Sequence, residues 1–296
     1  MMKFAKENGI SVRGHAILWD DINFQPQWVK TLPPNELQEA TVKRIKSVVS
    51  RYAGQLIAWD GVNENIHRRF YENTFNNKDA SAEFYATAYH VDPKTTMFLN
   101  EYGTIEYSGD STANPTNYIK EIKEIQYYPG TAGMPMGIGL QGHFGKGVPN
   151  LSYMRSGLDL LGATGLPIWL TETSIDSQPN EEQYFEEILR EAYSHPAVQG
   201  IIMFLGPTPS GFVYTPLADA NFQNTPIGDV VDKLIKEWGS GPKTAIADSR
   251  GIVDISLHHG DYDVTVTHPL TKYSKKLNVS VRKGFSPDTI HVKMHA

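Results

Sequence analysis

The sequence predicts an α/β fold built on a parallel sheet, followed by a small antiparallel β module. Three observations carry that reading. Strand-like and helix-like runs alternate along residues 1–240, the pattern of strands joined by helical crossovers. The strand runs are apolar and nearly continuous, as expected of strands covered on both faces. Near Gly239-Ser240-Gly241-Pro242 the composition shifts to a linker, and beyond it the hydrophobic period becomes two, which predicts antiparallel strands over 243–296.

The elements follow in order. Met1 to Gly9 reads as the last turns of a helix stopped by Asn8-Gly9, so elements upstream are expected to be missing. Strands are predicted over Ile10 to Trp19, Leu56 to Glu64, Thr96 to Glu101, Gly137 to His143, Leu166 to Glu172 and Gly200 to Leu205. Between them lies a helix over Pro34 to Tyr52, with apolar residues at 37, 40, 45, 48 and 49, the spacing of one buried face. Further helices are predicted over Ser81 to Tyr89, Tyr118 to Tyr127, Tyr153 to Leu161, Glu181 to Ala192 and Thr225 to Trp238. In the C-terminal module, Asp263 to Thr267, Leu277 to Val281 and Ile290 to Met294 alternate, with Gly260, Gly284 and Pro287 marking turns. A module this small is marginal for independent folding, so packing on the larger domain is expected.

Bulk properties exclude several function classes. Of the 296 residues, 40% are hydrophobic and 20% charged, ordinary for a globular protein. The formal net charge of −6 offers no electrostatic footprint for nucleic acid. With no cysteine, disulfides and thiolate metal sites are excluded. No apolar run reaches the roughly 18 residues of a membrane span, and the N-terminus lacks the apolar core and cleavage site of a signal peptide. No metal or cofactor site is expected: His258-His259 are adjacent, so a strand would point them apart, and neither a His-Glu-x-x-His nor a Gly-x-Ser-x-Gly word occurs. Asn150 and Asn278 begin glycosylation sequons, which matter only for a secreted protein. The sequence leaves the oligomeric state open.

Two stretches point to chemistry. Trp59-Asp60-Gly61-Val62-Asn63-Glu64 and Leu170-Thr171-Glu172 each end an apolar strand run on a glutamate. Paired carboxyls at strand ends are what glycoside hydrolysis requires. Alternatively, each glutamate could pair with a nearby Arg or Lys.

Five words, in order, carry a family resemblance: Arg13-Gly14-His15 with Trp19; Trp59 to Glu64; Asn100-Glu101-Tyr102; Gly137 to His143; and Thr171-Glu172. The chain resembles plant-type glycoside hydrolase family 10 endo-1,4-β-xylanases over roughly residues 1–240, and its tail is similar to theirs. The resemblance implies a (β/α)8 TIM barrel. It maps Arg13-Gly14-His15 to the third strand, so the chain reads as an N-terminally truncated barrel holding strands three to eight. Strands one and two, with a substrate-binding lysine, are then expected to be absent, leaving open edges at the strands of His15 and Met203. A partner chain supplying those strands is the alternative.

The resemblance also implies roles. Glu64 is the general acid/base and Glu172 the nucleophile of a retaining double displacement on xylan. Asn63 bonds the sugar 2-hydroxyl, or caps its strand. His143 and Gln141 surround the nucleophile; His15 and Trp19 contact the sugar, unless Trp19 is core. Asn100 and Tyr102 are supporting or aglycone-side groups. Three departures stand out: Ser174 where the family places an aspartate, Gly103 where asparagine is usual, and Gly61 where valine is common. The loss of the aspartate is expected to raise the nucleophile's pKa or loosen its geometry. After the last strand, Phe212 or Tyr214 is a candidate lid. A complete member is expected to be secreted to the cell wall. Competing readings are a degenerate homologue that is inactive or only binds xylan, and a related glycosidase acting on another β-linked glucan.

Overall fold

The computed structural model describes residues 1–204, 214–239, 241–258, 260–281 and 289–294. It divides into two compact units, Met1–Val230 and Val231–Ala296. The first is a parallel sheet with helical crossovers. Its strand pieces are β1 (Arg13–Gly14), β2 (Leu18–Trp19), β3 (Ala58–Asp60), β4 (Val62–Asn63), β5 (Thr96–Glu101), β6 (Met136–Leu140), β7 (His143–Phe144), β8 (Ile168–Ile175) and β9 (Val198–Met203). Neighbours pair in the order β1-β3-β5-β6-β8-β9, every pair parallel. This is the pattern of six consecutive strands of a (β/α)8 barrel wall. Among the described residues β1 and β9 do not pair with each other.

Three of the predicted strands are each broken into two pieces, and the breaks have a purpose. β2 pairs β4, and β7 pairs β8 through His143↔Ser174, past the bends. The bend between β6 and β7 falls at Gly142, whose φ of 79° suits a residue without a Cβ. The side chains singled out above cluster at these bends, where the ladder is interrupted and a strand end can turn toward one point.

The helices are α1 (Met2–Glu7), α2 (Pro34–Tyr52), α3 (Phe70–Phe75), α4 (Ala80–Val91), α5 (Pro115–Tyr127), α6 (Leu151–Gly162), α7 (Glu181–Ser194) and α8 (Pro226–Trp238). Pro34 starts α2, and Leu37, Thr41, Ile45 and Val49 form its buried stripe, four residues apart on one face. Asn114 caps α5 by accepting from Thr116 N and Asn117 N, both at 3.1 Å, and Asn150 caps α6 through Tyr153 N at 3.0 Å. In sequence order α2, α4, α5, α6 and α7 pack each on the next. The six-residue α3 is too short to show a helical period in sequence. Its Tyr71 instead packs edge-on to Phe84 of α4, with ring centroids 5.2 Å apart.

Glycines on the sheet make room for aromatic rings. A Cβ on Gly14 would lie 2.1 Å from the Trp59 ring, one on Gly137 2.5 Å from Phe98, and one on Gly200 2.5 Å from Trp169. Each of these glycines is the register partner of the aromatic residue that covers it. Gly61 belongs to the same device: its Cβ would meet the Tyr85 ring at 2.2 Å. The absent valine is therefore replaced rather than lost. Tyr85 fills the space from α4 and donates its hydroxyl to Phe98 O at 3.0 Å.

In the second unit, β10 (Gly260–Thr267) and β11 (Ser274–Val281) form an antiparallel pair. Gly260 opens β10 rather than forming a turn, while Gly284 and Pro287 lie outside the described residues. The third expected strand does not form: residues 290–294 alternate in sequence but carry no strand. Alternation describes a half-buried ribbon only where a neighbouring strand completes the ladder.

The glycine–aromatic packing predicts the effect of restoring the family residue. Gly61→Val should destabilise the chain by about 1–3 kcal/mol through overpacking. Adding Tyr85→Leu should recover part of the loss, since the smaller side chain vacates the site. Urea denaturation midpoints of the single and double variants check this; an unchanged midpoint for Gly61→Val would contradict the packing.

Candidate active site

The site assembles around Asn100, on β5. Its amide is fully buried. Nδ2 donates to Asn63 Oδ1 at 2.9 Å and to Glu172 Oε1 at 2.8 Å. Oδ1 accepts from the Thr171 hydroxyl. Both amide hydrogens are thus used, and one side chain ties the ends of β4, β5 and β8 together. Gly139 on β6 permits this approach, because a Cβ there would sit 2.7 Å from Asn100 Oδ1.

Glu172 lies on β8, with its N–H donating to Gln141 O at 2.8 Å. Its carboxyl is buried. Burial would push its pKa up, but a hydrogen bond from His143, the charges of His15 and His143, and the bond from Asn100 outweigh it. The net result lies below the ordinary glutamate value. His143 Nε2 is 3.3 Å from Oε2 and His15 Nδ1 is 3.9 Å from Oε1. Even without the aspartate that the resemblance implied at 174, Glu172 is thus held below the ordinary glutamate value. Ser174 takes the missing aspartate's place: its Oγ lies 2.7 Å from His143 Nδ1, so the ring stays aimed at Glu172 through a neutral group.

Glu64 follows β4 in the left-handed region, with φ 60°, rare for a residue other than glycine and a form of stored strain at functional positions. Two backbone bonds hold it there: its N–H donates to Asn100 O at 3.0 Å, and its C=O accepts from Arg68 N at 3.0 Å. The buried carboxyl accepts from Gln141 Nε2 at 3.0 Å and from Asn63 Nδ2 at 3.5 Å. The two glutamates are thus joined through Asn63, Asn100 and Gln141.

These groups border a cleft of about 870 Å³ lined by Trp19, Phe24, Glu64, Tyr102, His143, Glu172 and Tyr214, among others. Asn63 and Asn100 lie buried behind its wall. Trp19 is half-buried and stacks on Phe24, with ring centroids 4.1 Å apart, so one face of its indole is already covered. Tyr214 stacks on His143 at 4.8 Å. Phe212 lies outside the described residues. Among the described residues no group of three or more His, Cys, Asp or Glu side chains could hold a metal ion, and no helix is long and apolar enough to cross a membrane.

Three features were not singled out from sequence. Asp60, though inside the first glutamate word, is fully buried. It takes the Arg13 guanidinium and, at 2.9 Å, His15 Nδ1. Burial disfavours the charged His15 ring, yet Asp60 and Glu172 hold its pKa above the ordinary value, so it presents positive charge toward Glu172. Glu106 Oε1 accepts from Gly142 N at 2.7 Å and His143 N at 3.2 Å, fixing the bend that carries His143. Beneath the site, Asp20 Oδ1 accepts from Tyr71 N at 3.0 Å. Its Oδ2 faces Glu72, and neither Asp20 Oδ2 nor Glu72 Oε2 has another partner. Burial, with the Glu72 charge beside it, pushes the Asp20 pKa up to about 10, so Asp20 keeps its proton at neutral pH.

That proton has a measurable consequence. A carboxyl whose pKa is higher folded than unfolded contributes less to stability as pH rises from the unfolded value toward the folded one. Asp20→Asn, whose amide can donate to Glu72 without titrating, should match the unaltered chain near pH 4. It should exceed the unaltered chain's stability by about 1–3 kcal/mol near pH 8. Urea unfolding at the two pH values checks this; an equal deficit at both would contradict the retained proton.

Comparison with known proteins places the chain in a family. The family model for glycosyl hydrolase family 10 matches residues 1–204. Endo-1,4-beta-xylanase 5 of Arabidopsis thaliana is 52% identical over 277 residues, covering 92% of this chain and 48% of its own. Endo-1,4-beta-xylanase 4 of the same plant is 46% identical over 297 residues, covering 96% and 52%. The chain thus spans about half the length of these curated relatives. Among solved structures, native xylanase 10B from Thermotoga maritima superposes with a TM-score of 0.64 at 26% identity, covering 80% of this chain and 79% of that one. Xylanase 10B from Thermotoga petrophila, in complex with xylobiose, gives a TM-score of 0.66 at 24% identity, covering 80% and 77%. With its six parallel strands and the glutamate words at their ends, the chain belongs to glycosyl hydrolase family 10.

Proposed function

We propose that the cleft is the site of a retaining endo-1,4-β-xylanase. The observation that carries the reading is the Asn100 node, which ties Glu172 to Asn63 and so to Glu64. The two carboxyls sit in different surroundings, as two different roles require. Glu172 is ringed by His143, His15 and the Asn100 amide, which favour its ionised form. It attacks the anomeric carbon and forms a glycosyl ester as the bond to the leaving oxygen breaks. Glu64 gives its proton to that oxygen. It then takes a proton from the water that attacks the same carbon, releasing Glu172 with configuration retained. His15 is assigned to a sugar hydroxyl and Trp19 to the sugar face left open by Phe24, while Asn63, buried behind the wall, steadies Glu64. Gln141 and His143 steady the two carboxyls, and Tyr102 is assigned to the aglycone side. Xylan is the partner supported by the named relatives, and the plant cell wall the place of action.

One observation favours a second reading. β1, which leads directly into His15, ends the sheet without a further strand among the described residues. The His15 side chain is also 37% exposed. A site open on that side would bind xylan without turning it over.

Reducing-sugar release from soluble xylan by the purified chain, beside Glu172→Ala, separates the readings. The xylanase reading predicts release that falls by at least about a thousandfold in the variant, with the β-anomer formed first by proton NMR. Release that persists in the variant overturns the nucleophile assignment. Binding to xylan without release, in both proteins, supports the second reading. Faster release from cellulose than from xylan would move the substrate to another β-linked glucan.

A further inference from the structure

His67, three residues past Glu64, is not used by the roles above. Its ring is held from both sides. Nδ1 lies 2.8 Å from Glu101 Oε1, and Nε2 lies 2.7 Å from Asp110 Oδ2. Each carboxyl already accepts backbone hydrogens. Glu101 takes Ile66 N at 2.9 Å, His67 N at 3.3 Å and Tyr102 N at 3.1 Å. Asp110 takes Thr112 N at 2.8 Å and Ala113 N at 3.0 Å. Groups that accept this often act as carboxylates, so both ring nitrogens carry hydrogen and the ring is an imidazolium. Arg68 is the cation next in the chain, and Glu64 the nearest carboxylate on the same segment.

The ring has a third neighbour. It stacks on Tyr102, with centroids 4.0 Å apart and planes 7° from parallel. Tyr102 lines the cleft with Glu64, so the histidine backs one face of a ring that borders the candidate site. A cation against an aromatic face is favourable, more so when partly desolvated.

Gly103 belongs to the same arrangement. Its φ is 75°, and a Cβ there would come within 2.5 Å of Asp110 Oδ2, the oxygen that meets His67 Nε2. A side chain at 103 would displace the Asp110 arm of the clamp. The departure from the family's usual asparagine is thereby linked to the position of His67.

We propose that His67 is a positioning residue: clamped between Glu101 and Asp110, it backs Tyr102 and holds that ring as a platform for the leaving-group side of the bound xylan, with Gly103 leaving room for the clamp. The proposal rests on the xylanase reading of the cleft. Burial lowers the proton affinity of His67, yet Glu101 and Asp110 raise it above the ordinary histidine value. Burial also raises the Glu101 pKa, against the His67 hydrogen bond and charge, which lower it.

Two measurements test this. Side-chain 15N spectra of the full chain at pH 8, where a free histidine is neutral, should show both His67 nitrogens protonated. A neutral tautomer overturns the clamp. Kinetics on xylotetraose then test the platform. His67→Gln should raise KM about tenfold with kcat changed less than about twofold. Gly103→Asn should shift KM the same way, and His67→Gln combined with Tyr102→Ala should lose no more than Tyr102→Ala alone. Additive losses, or a fall confined to kcat, overturn the positioning role. Failure of the unaltered chain to bind or cleave xylotetraose overturns the xylanase reading and the platform with it, while the spectrum still decides the clamp.

Discussion

A single buried amide holds this site together. Asn100 spends both hydrogens of Nδ2 on Asn63 and Glu172 and takes the Thr171 hydroxyl on Oδ1. These partners come from segments far apart in sequence, so the arrangement exists only when β4, β5 and β8 are in register. A buried amide that lost one of these partners would face the cost of an unmade bond, about 1–3 kcal/mol. The packing around the amide is close as well, since a Cβ on Gly139 would sit 2.7 Å from its oxygen.

Around that node, charge is balanced against burial. Glu172 would be pushed toward its neutral form by the protein interior, and two histidines reverse the outcome. Those histidines are themselves held by further groups: Asp60 on His15, and Ser174 and Glu106 on His143. Ser174 stands where the resemblance implied an aspartate. Orientation of the ring survives with a neutral hydroxyl, because His15 and the Asn100 amide still favour a negative Glu172. Deeper down, Asp20 keeps its proton beside the Glu72 carboxyl, and Arg69 reaches from the turn after Glu64 to Glu121 on α5 at 2.7 Å. The segment bearing the strained Glu64 backbone is thereby tied to its surroundings by polar groups as well as by the buried Val62 and Ile66.

Much of this was legible in the sequence, for identifiable reasons. β5 and α2 match their predicted bounds because an apolar run and a regular four-residue stripe each point to one answer. Glu64, Glu172, Asn63, Asn100, Gln141, His143 and His15 were found through short words at strand ends, and the fold brings all seven into one connected network. What sequence could not show was contact between words. Asp60 sat inside a recognised motif, but its pairing with Arg13 and His15 depends on β1 lying beside β3. His67 and Asp110 lie in irregular segments, where no period or spacing links them. Gly61 read as a lost packing group because Tyr85 comes from a separate helix. The third strand expected over 290–294 failed for the opposite reason: its alternation was local and pairs with no strand among the described residues.

The central claim is that the Asn100 node presents Glu172 as a nucleophile. Mass spectrometry after incubation with a 2-deoxy-2-fluoro xylobioside carrying an activated leaving group tests it most directly. Fluorine at C2 slows both steps, and the activated group restores the first, so the glycosyl ester accumulates. The account predicts one added sugar on the peptide containing Glu172, absent in Glu172→Ala and formed at least about tenfold more slowly in Asn100→Ala. A label on another carboxyl such as Glu106, or labelling indifferent to Asn100, would contradict it.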